Sequence, residues 1–570
     1  MGARIRISLP ATEQAAFDDL VARATDEQWP ERLFDRDPAL WTDDPDVAAG
    51  IADRLGWLDA PAHFTEQSAA LEGFSDGAVE TGFDQAVVMG MGGSSLAPDV
   101  LHRTFGTTEG YLDLRILDST DPAAVAAAVD DLDPLETLWI VASKSGTTTE
   151  PLAFMADAWA RVDAALDERG SDQNPGEFFA VITDPGKSLE AIPHQDDLRE
   201  RFLNPPDVGG RYSALTYVGL VPASLIGLDV DALLAAGSAM LAACREPNAA
   251  ANPGVELGLA IGSLAAGGRD KLTFLTSPDI AGFGAWAEQL IAESTGKHGV
   301  GIVPVDLEPL RDAADYGPDR AFAVLTVAGG AGVSLADELE RAGQPVIRIE
   351  LDDPIDIAGE MLRWEVATAI AGAVLGIDPF DQPNVEDAKE RTRRVLAGVT
   401  GDGTAVDPGG AEIEPGGDGG IHVAAHDAPS LADLLRPTIA ALAPPSYVAV
   451  QAFIAPSTDV DAAIAGIRTE LARTACATTA GYGPRFLHST GQLHKGGPAT
   501  GVFLQLTSDH PVDREIPGWP YTFGRLIDAQ ARGDREALRA GDRPVIHVHL
   551  GANLAADLET LRRAIGLALT

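Results

Sequence analysis

The chain has 570 residues, enough for roughly three to four domains, and its 45% hydrophobic and 22% charged residues are typical of a soluble globular protein. The formal net charge of −45 argues against nucleic-acid binding, because so acidic a surface repels a phosphate backbone. No stretch approaches ~18 uninterrupted apolar residues, so we expect no membrane span. The two cysteines, Cys244 and Cys476, exclude a disulfide framework and fit a reducing cytoplasm.

The N-terminal part, residues 1–80, has apolar positions at helical spacing and is predicted to be a helical segment. From residue 85 the pattern changes to strand–loop–helix alternation, which predicts a first α/β domain over residues 81–245. Its short apolar runs predict parallel strands at residues 86–89, 114–117, 138–141 and 178–182. Parallel strands joined by helices form a doubly wound sheet.

Two further α/β units follow along the chain. The second, residues 246–400, has strand runs at 272–275, 322–325 and 346–349 and closes with helices near 357–375 and 383–397. Residues 400–420 are rich in Gly, Asp and Pro and are predicted to form a linker or a loose hairpin. A C-terminal α/β domain is predicted for residues 421–570, with strand runs at 447–450, 501–504 and 545–548.

A glycine-rich loop, GMGGSS at residues 90–95, lies between the first predicted strand and a helix. Glycines there let the backbone approach an anion, and the helix N-terminus offers free NH groups. Gly93 and Ser94 are therefore candidate phosphate ligands. Such glycines also occur for steric reasons alone. A dinucleotide loop is disfavoured, because the spacing is GxGG and not GxGxxG.

A hydroxyl-rich loop, SKSGTTTEP at residues 143–151, also follows a strand and opens a helix. Five hydroxyls, one ammonium group and the NH groups of the helix start form a cradle for a dianionic phosphate without a metal. The alternative is a Ser/Thr helix cap, which needs only one or two hydroxyls. No Walker A pattern is present, so a nucleoside triphosphate is not implied. The candidate ligands are Ser143, Lys144, Ser145, Thr147 and Thr148.

Five ordered segments resemble those of the glucose-6-phosphate isomerase family, whose members are built on two sugar-isomerase (SIS) domains. They are the two loops above, VGGRYS at 208–213, QLIAESTGK at 289–297 and FDQPNVEDAK at 380–389. The resemblance implies two doubly wound SIS-type parallel-sheet domains, here followed by the C-terminal α/β domain. It also implies an aldose–ketose isomerase of glycolysis and gluconeogenesis that interconverts glucose 6-phosphate and fructose 6-phosphate.

The resemblance implies a role for each matched residue. Glu293 is the base that moves a proton between two adjacent carbons through an enediolate, and Arg211 is the cation that stabilises the enediolate. Lys389 is the ring-opening lysine. Gln289 and Gln382 are expected to bind phosphate or sugar hydroxyls. Neither a metal nor another cofactor is implied, and these segments contain no HxH or HExxH pattern.

In the family, the ring-opening histidine usually lies some thirty residues after the base, and this chain departs from that pattern. No His occurs between His298 and His422, whereas a similar segment, LHSTGQ, occurs at 487–492. In this respect the chain resembles the isomerase part of transaldolase–isomerase fusions, although no transaldolase barrel is evident before residue 85. We therefore expect isomerase activity alone, with His488 as the ring-opening acid and His494 as the competing candidate.

Two other functions remain open at this point. One is a bifunctional phosphoglucose/phosphomannose isomerase, in which a hydroxyl such as that of Ser145 or Thr295 handles the C2 epimer. The other is a non-catalytic phosphosugar-binding SIS protein, against which the joint presence of Glu293, Arg211 and Lys389 argues. The family also implies a homodimer whose sites form at the subunit interface. The HVH pair, His547 and His549, is interpreted as structural.

Overall fold

The computed structural model describes residues 4–329, 334–397 and 420–570. The linker predicted for residues 400–420 therefore lies almost wholly outside the described residues. The N-terminal segment is helical, as expected, from residue 11 onward. Its helices are α1 (Ala11–Asp26), α2 (Trp29–Phe34), α3 (Pro45–Ala52), α4 (Ala60–Thr65) and α5 (Ser68–Thr81).

The first strand, β1 (Arg4–Ser8), was not among the predicted elements. It pairs antiparallel with a strand of the second sheet, with Arg4 opposite Glu350 and Ser8 opposite Val346. The alternation of Arg4, Ile5, Arg6 and Ile7 has the period of two that suits an edge strand, but five residues are too few to stand out beside a long helical region.

The first α/β unit contains a five-stranded sheet in the order β3-β2-β4-β5-β6, all parallel. Its strands are β2 (Gln85–Gly90), β3 (Asp113–Leu117), β4 (Thr137–Ala142), β5 (Phe179–Thr183) and β6 (Glu200–Leu203). Its helices are α6 (Leu96–Phe105), α7 (Pro122–Val129), α8 (Thr149–Arg169), α9 (Lys187–Glu190), α10 (Tyr217–Leu225) and α11 (Val230–Ala243). The central strands are buried along nearly their whole length, as continuous apolar runs predict for parallel strands.

The second unit contains a sheet in the order β1-β10-β9-β7-β8. Its own strands, all parallel, are β7 (Lys271–Thr276), β8 (Val303–Val305), β9 (Arg320–Val327) and β10 (Val346–Leu351). Its helices are α12 (Pro253–Ala266), α13 (Phe283–Thr295), α14 (Leu335–Arg341), α15 (Ile357–Leu375) and α16 (Val385–Leu396). The last two agree closely with the predicted closing helices.

The third unit contains a parallel sheet in the order β11-β15-β14-β12-β13. Its strands are β11 (Ile421–His422), β12 (Tyr447–Phe453), β13 (Ala477–Tyr482), β14 (Gly501–Ser508) and β15 (Val545–Leu550). Its helices are α17 (Ala428–Ile439), α18 (Thr458–Leu471), α19 (Gly491–Gly496), α20 (Phe523–Ala540) and α21 (Leu554–Ala568).

All three sheets share one arrangement of four parallel strands. In each, the first strand of the unit lies between the second strand on one side and the third on the other, and the fourth follows the third. The fifth strand differs in origin. In the first sheet it is β6, at the end of the unit; in the second it is β1, at the start of the chain; in the third it is β11, which precedes the other four strands of that unit. The C-terminal unit is thus doubly wound like the first two, and ligands of such sheets bind at the carboxyl ends of the strands.

One buried arginine, Arg468, and two half-buried ones, Arg485 and Arg514, hold the third unit against the other two. Arg485 lies 2.9 Å from a carboxylate oxygen of Asp99 in the first unit. Arg514 lies 2.9 Å from one of Asp157. Arg468 donates to the backbone carbonyl of Asp306 in the second unit at 2.8 Å. Partly desolvated charge-assisted bonds of this kind are stronger than exposed ones, so they fix how the units meet. Within the described ranges, every helix is too short or too polar to cross a bilayer.

Candidate active site

One cavity of about 600 Å³ is lined by residues from all three units. It brings together all but one of the predicted site residues, namely Gly93, Ser94, Lys144, Ser145, Thr147, Thr148, Arg211, Gln289, Glu293, Gln382, Lys389 and His488. Because these residues span almost 400 positions, the fold and not local sequence creates their proximity.

The phosphate loops border the crevice between β2 and β4, where the strand order of the first sheet reverses. The glycine-rich loop follows β2, and the hydroxyl-rich loop follows β4 and leads into α8. The start of α8 points NH groups and a partial positive charge towards an anion at this edge. Gly146 allows the turn: its φ is +66°, and an added Cβ would lie 1.9 Å from the carbonyl oxygen of Ser188.

The side chains of the hydroxyl-rich loop divide into two layers. Ser145, Thr147 and Thr148 line the cavity. The predicted ligand Ser143 is buried behind them, and its Oγ donates to Oγ1 of Thr148 at 3.0 Å. Ser143 therefore lies where it supports Thr148.

The ammonium group of Lys144 is bound by the protein itself. Nζ lies 2.5 Å from Oδ2 of Asp184 and 3.0 Å from the carbonyl oxygen of Pro206. Burial raises the pKa of Asp184, and the ammonium group only partly offsets that rise. Lys144 thus contributes a largely compensated charge at the rim of the cavity.

The predicted base, Glu293, lies on α13, the helix that also carries Gln289 one turn earlier. Nε2 of Gln289 donates to Oε2 of Glu293 at 3.1 Å and also lies 2.8 Å from the carbonyl oxygen of His488. Oε1 of Glu293 lies 3.1 Å from Nη1 of Arg211, in a pair whose side chains are 9% and 3% exposed. The carboxylate is therefore held from both sides, and residues four apart on α13 share one helix face.

Arg211 is fixed by bonds from every nitrogen of its guanidinium. Nε donates to Ser294 Oγ at 2.8 Å, and Nη1 donates to Gln382 Oε1 at 2.8 Å. Nη2 donates to the carbonyl oxygens of Pro379 and Asp381 at 2.7 and 2.9 Å. These contacts hold the cation beside Glu293 and orient Gln382 at the cavity wall.

Lys297, the last residue of the QLIAESTGK segment, supports the loop that carries Gln382. Nζ of Lys297 donates to the carbonyl oxygen of Asp381 at 2.6 Å and lies 2.5 Å from Oδ1 of the same residue. Burial, with repulsion from Arg211, lowers the pKa of Lys297 to about 8. Lys297 therefore clamps the loop that carries Gln382.

His488 reaches the cavity from the loop that follows β13 in the third unit. Its Nε2 lies 3.1 Å from Oε1 of Glu150, at the start of α8. Burial raises the pKa of Glu150, but attraction to His488 and their hydrogen bond outweigh it, so that this pKa is lowered; Lys389 adds to the attraction. The carboxylate is thus ionised and the imidazole has a fixed anionic partner.

A glycine makes the approach of His488 possible. Gly92 has φ +53°, and an added Cβ would lie 2.3 Å from the backbone oxygen of His488 and 2.9 Å from Nε2 of Gln289. The glycine-rich loop therefore serves the docking of the third unit as well as the candidate phosphate site.

The competing histidine, His494, is buried away from this cavity. Its ring packs against Phe486 and Phe503, and Nδ1 lies 3.2 Å from Nε2 of Gln451. Burial, with Lys495 and Arg543 nearby, lowers the pKa of His494 to about 3. A ring that stays neutral inside the core suits packing and not proton exchange.

The HVH pair lies on β15 in the core of the third unit. Oγ1 of Thr507 lies 2.9 Å from Nε2 of His547 and 3.0 Å from Nδ1 of His549. Both rings are buried and hydrogen-bonded, in line with the structural interpretation.

Several lining residues were not singled out from the sequence, among them Glu150, Tyr521 and Gln530. Glu150 stands directly after the hydroxyls of its loop, and the position of an acidic residue beside a candidate anion cradle was the available signal. Tyr521 and Gln530 come from the third unit. Tyr521 lies just before α20, and Gln530 lies within it. Nothing in the local sequence marks them, because only the docking of the third unit brings them here.

Comparisons with known proteins agree with this geometry. The phosphoglucose isomerase family model matches residues 36–301, a range that contains both phosphate loops, Arg211, Gln289 and Glu293. A glucose-6-phosphate isomerase of Rubrobacter xylanophilus is 31% identical over 398 residues, which are 61% of this chain and 90% of that protein. A probable glucose-6-phosphate isomerase of Natronomonas pharaonis is 33% identical over 56% of this chain and 81% of its own length.

Two solved structures have a similar fold. A hypothetical protein from Thermus thermophilus superposes with a TM-score of 0.58 at 25% identity, covering 69% of this chain and 100% of that one. A glucose-6-phosphate isomerase from Chlamydia trachomatis superposes with a TM-score of 0.52 at 19% identity, covering 67% and 85%. With the sequence relatives, these matches lead to one conclusion: the chain belongs to the phosphoglucose isomerase family.

Proposed function

We propose that this chain is an aldose–ketose isomerase that interconverts glucose 6-phosphate and fructose 6-phosphate. The observation that carries the proposal is the meeting of a held carboxylate (Glu293), a fixed guanidinium (Arg211) and an imidazole (His488) with the hydroxyl-rich loop around one cavity. Isomerisation of a phosphosugar requires each of these groups, whereas binding of a phosphosugar without reaction requires only the loop.

Proton transfer falls to Glu293. A carboxylate takes the proton from one carbon of the open-chain sugar and returns it to the neighbouring carbon. The negative charge that develops on the two oxygens faces Nη1 of Arg211, which lies 3.1 Å from the carboxylate and keeps its proton at any relevant pH. Gln289 holds the other carboxylate oxygen, so the base keeps its orientation through the transfer.

Ring opening falls to His488 and Lys389. An ionised Glu150 only accepts hydrogen bonds, so Nε2 of His488 carries the hydrogen of their contact and Nδ1 is left to exchange a proton with the sugar. Lys389, on α16, lines the same cavity and supplies positive charge beside the ring oxygen.

The phosphate is held by NH groups and hydroxyls at the start of α8. The cradle offers a partial positive charge from the helix and the side chains of Ser145, Thr147 and Thr148. In a chain of net charge −45, such a local site is what lets a dianionic substrate bind.

The test is a coupled assay in which the chain receives fructose 6-phosphate and the appearance of glucose 6-phosphate is followed. Turnover is expected, together with competitive inhibition by inorganic phosphate. Binding of the sugar phosphate without turnover would overturn the proposal in favour of a phosphosugar-binding protein. Turnover of mannose 6-phosphate in the same assay would extend the substrate range to the bifunctional isomerase.

A homodimer, expected from the family resemblance, and a cytoplasmic location, expected from the two cysteines, remain predictions. The groups proposed for both chemical steps line one cavity within a single chain, so the chemistry itself does not call for a second subunit.

A further inference from the structure

A glutamine of the third unit binds the carboxylate that holds His488. Nε2 of Gln530 donates to Oε1 of Glu150 at 2.6 Å, and this is the same oxygen that lies 3.1 Å from Nε2 of His488. Gln530 is 3% exposed, and Glu150 is 5% exposed. One buried carboxylate oxygen thus has two donors from the third unit, which matches its two lone pairs.

The orientation of the Gln530 amide is set by a second contact. Oγ1 of Thr120 donates to Oε1 of Gln530 at 2.7 Å, and Thr120 is fully buried in the loop after β3. Since an ionised carboxylate accepts only, the amide NH₂ must face Glu150 and its oxygen must face the hydroxyl. Thr120, Gln530, Glu150 and His488 therefore form one chain of hydrogen bonds that alternates between the first and third units, with Glu150 accepting from both Gln530 and His488.

The same helix also meets the helix that carries Lys389. One turn after Gln530, an added Cβ at Gly533 would lie 2.6 Å from Oγ1 of Thr392 on α16. The side chains of Lys389 and Thr392 are neighbours on one face of α16, three residues apart. A single face of α20 thus lies behind both groups proposed to open the sugar ring.

We propose that Gln530, oriented by Thr120, is a positioning residue for ring opening, and that α20 sets the geometry of Glu150 and His488 for that step. This inference rests on the proposed function. Gln530 does not touch the reacting atoms of the base: Glu293 is held by Gln289 and Arg211. The side chains of Glu293 and His488 are therefore held by different residues, although Gln289 also binds the backbone of His488, and a change at Gln530 should affect ring opening and spare proton transfer.

The physical reason lies in the buried carboxylate. Removing a donor from a buried charged acceptor leaves it under-solvated, and the group then rotates or takes up a proton. Either response would move Oε1 of Glu150 and release the imidazole of His488 from its fixed direction. An amide suits this position better than a cation would, because it holds the carboxylate without neutralising the charge that attracts His488.

The experiment compares a cyclic with an acyclic substrate. Fructose 6-phosphate closes its ring through the C5 hydroxyl, so its 5-deoxy analogue is always open and bypasses ring opening. Isomerisation of fructose 6-phosphate is followed by the coupled assay, and proton transfer in the analogue by exchange of the C1 hydrogen in D₂O using NMR. The variants are Gln530→Met, which keeps the length but loses the amide, and the pair Thr120→Val and Thr120→Ser.

For Gln530→Met, kcat on fructose 6-phosphate is expected to fall about tenfold, while exchange in the analogue stays within about twofold of the parental rate. Thr120→Val is expected to shift the ratio of the two rates in the same direction by a few-fold, and Thr120→Ser to restore it, because only the hydroxyl differs in function. The Thr120 pair keeps the test decisive if Gln530→Met folds poorly.

Equal losses on both substrates, or no change on either, would overturn the inference. So would the same ratio in Thr120→Val and Thr120→Ser. A parental chain that fails to isomerise fructose 6-phosphate would instead refute the proposed function, so the two failures are distinguishable.

Discussion

His488 and Glu150 are 338 residues apart in sequence, yet Nε2 of the imidazole lies 3.1 Å from Oε1 of the carboxylate. The contact joins a loop of the third unit to the first turn of the helix behind the phosphate cradle. The candidate active site is therefore a product of how the first and third units dock, and its properties depend on that interface as much as on any single motif.

Replacing the proposed base tests the first chemical step. Glu293→Gln keeps an oxygen for Arg211 but cannot accept the substrate proton, so kcat is expected to fall by about 10³-fold or more, with thermal stability near the parental value. The measurement is the coupled assay with a melting curve. A variant that keeps near-parental turnover would refute the role of Glu293.

A matched control lies on the same helix. Glu288 accepts a hydrogen bond from the backbone NH of Asp306 at 3.1 Å. Burial, with repulsion from the nearby Asp306 carboxylate, raises the pKa of Glu288 and so favours its neutral form, which an amide resembles. Glu288→Gln is expected to keep activity within about twofold of the parental chain. A loss equal to that of Glu293→Gln would mean that α13, and not its base, was disturbed.

Complementation distinguishes a site within one chain from a site shared by two. Glu293→Gln and His488→Ala are each expected to be nearly inactive. Co-expressed and purified together through two different tags, they are expected to stay so, because each chain keeps one defect in its own candidate active site. If chains exchanged their third units, each mixed dimer selected by the two tags would contain one intact site of two, restoring about half of parental activity, and such recovery would contradict the single-chain site.

The close approach at Gly92 predicts a defect that reaches the third unit. Gly92→Ala adds a methyl 2.3 Å from the backbone oxygen of His488 and places alanine at φ +53°. Gly170→Ala, at φ +60° with nothing within 4 Å of the new methyl, carries the backbone cost alone, about 1–2 kcal/mol.

We therefore expect Gly92→Ala to lose more stability than Gly170→Ala and to lower kcat at least tenfold, whereas Gly170→Ala keeps kcat near the parental value. Urea unfolding and the coupled assay provide the two measurements. Similar kcat values in the two variants would show that the His488 loop adjusts without cost.

A pH dependence is predicted where the third unit meets the first. Nδ1 of His510 lies 3.6 Å from Oδ2 of Asp121, and Nε2 lies 3.2 Å from Oδ1 of Asp528 on α20. Burial opposes the charged ring, but the bond to Asp528 and attraction to Asp528, Asp121 and Asp513 outweigh it, so the pKa of His510 is raised above 6.5.

A pKa that is higher in the folded than in the unfolded chain stabilises the fold below the unfolded value, and this stabilisation is lost as the pH rises through the folded value. His510→Gln is thus expected to cost about 1 kcal/mol more at pH 6 than at pH 8.5. Urea unfolding at the two pH values measures this difference. An equal cost at both would contradict the assignment of a charged His510.

Much of the fold followed from apolar runs. The central strands of all three sheets, β2, β4, β7, β9 and β12 among them, are long and buried, so their composition marked them. The missed strands lacked that signal. β8 has three residues, β11 has two, and β13 reads ATTAGY, whose small and polar residues resemble a loop. Their pairing comes from neighbouring strands and not from their own propensity.

The site was predictable to the extent that its chemistry is local. Loop hydroxyls, glycines and the segment around Glu293 are contiguous in sequence, and their roles could be inferred from residue type. Gln530 lies in an ordinary amphipathic helix, and Thr120 lies in the loop after β3. The proposed role of each depends on a tertiary contact between units, so no pattern in the sequence could have indicated that role.

The amide of Gln289 has a further consequence. Its Nε2 donates to the carboxylate of Glu293, the proposed base, and to the backbone oxygen of His488, the proposed ring-opening acid. Loosening the C-terminal unit by heat or by a protease would therefore abolish proton transfer and ring opening together. Inactivation is expected as a single all-or-none event, with no long-lived species that performs half of the reaction.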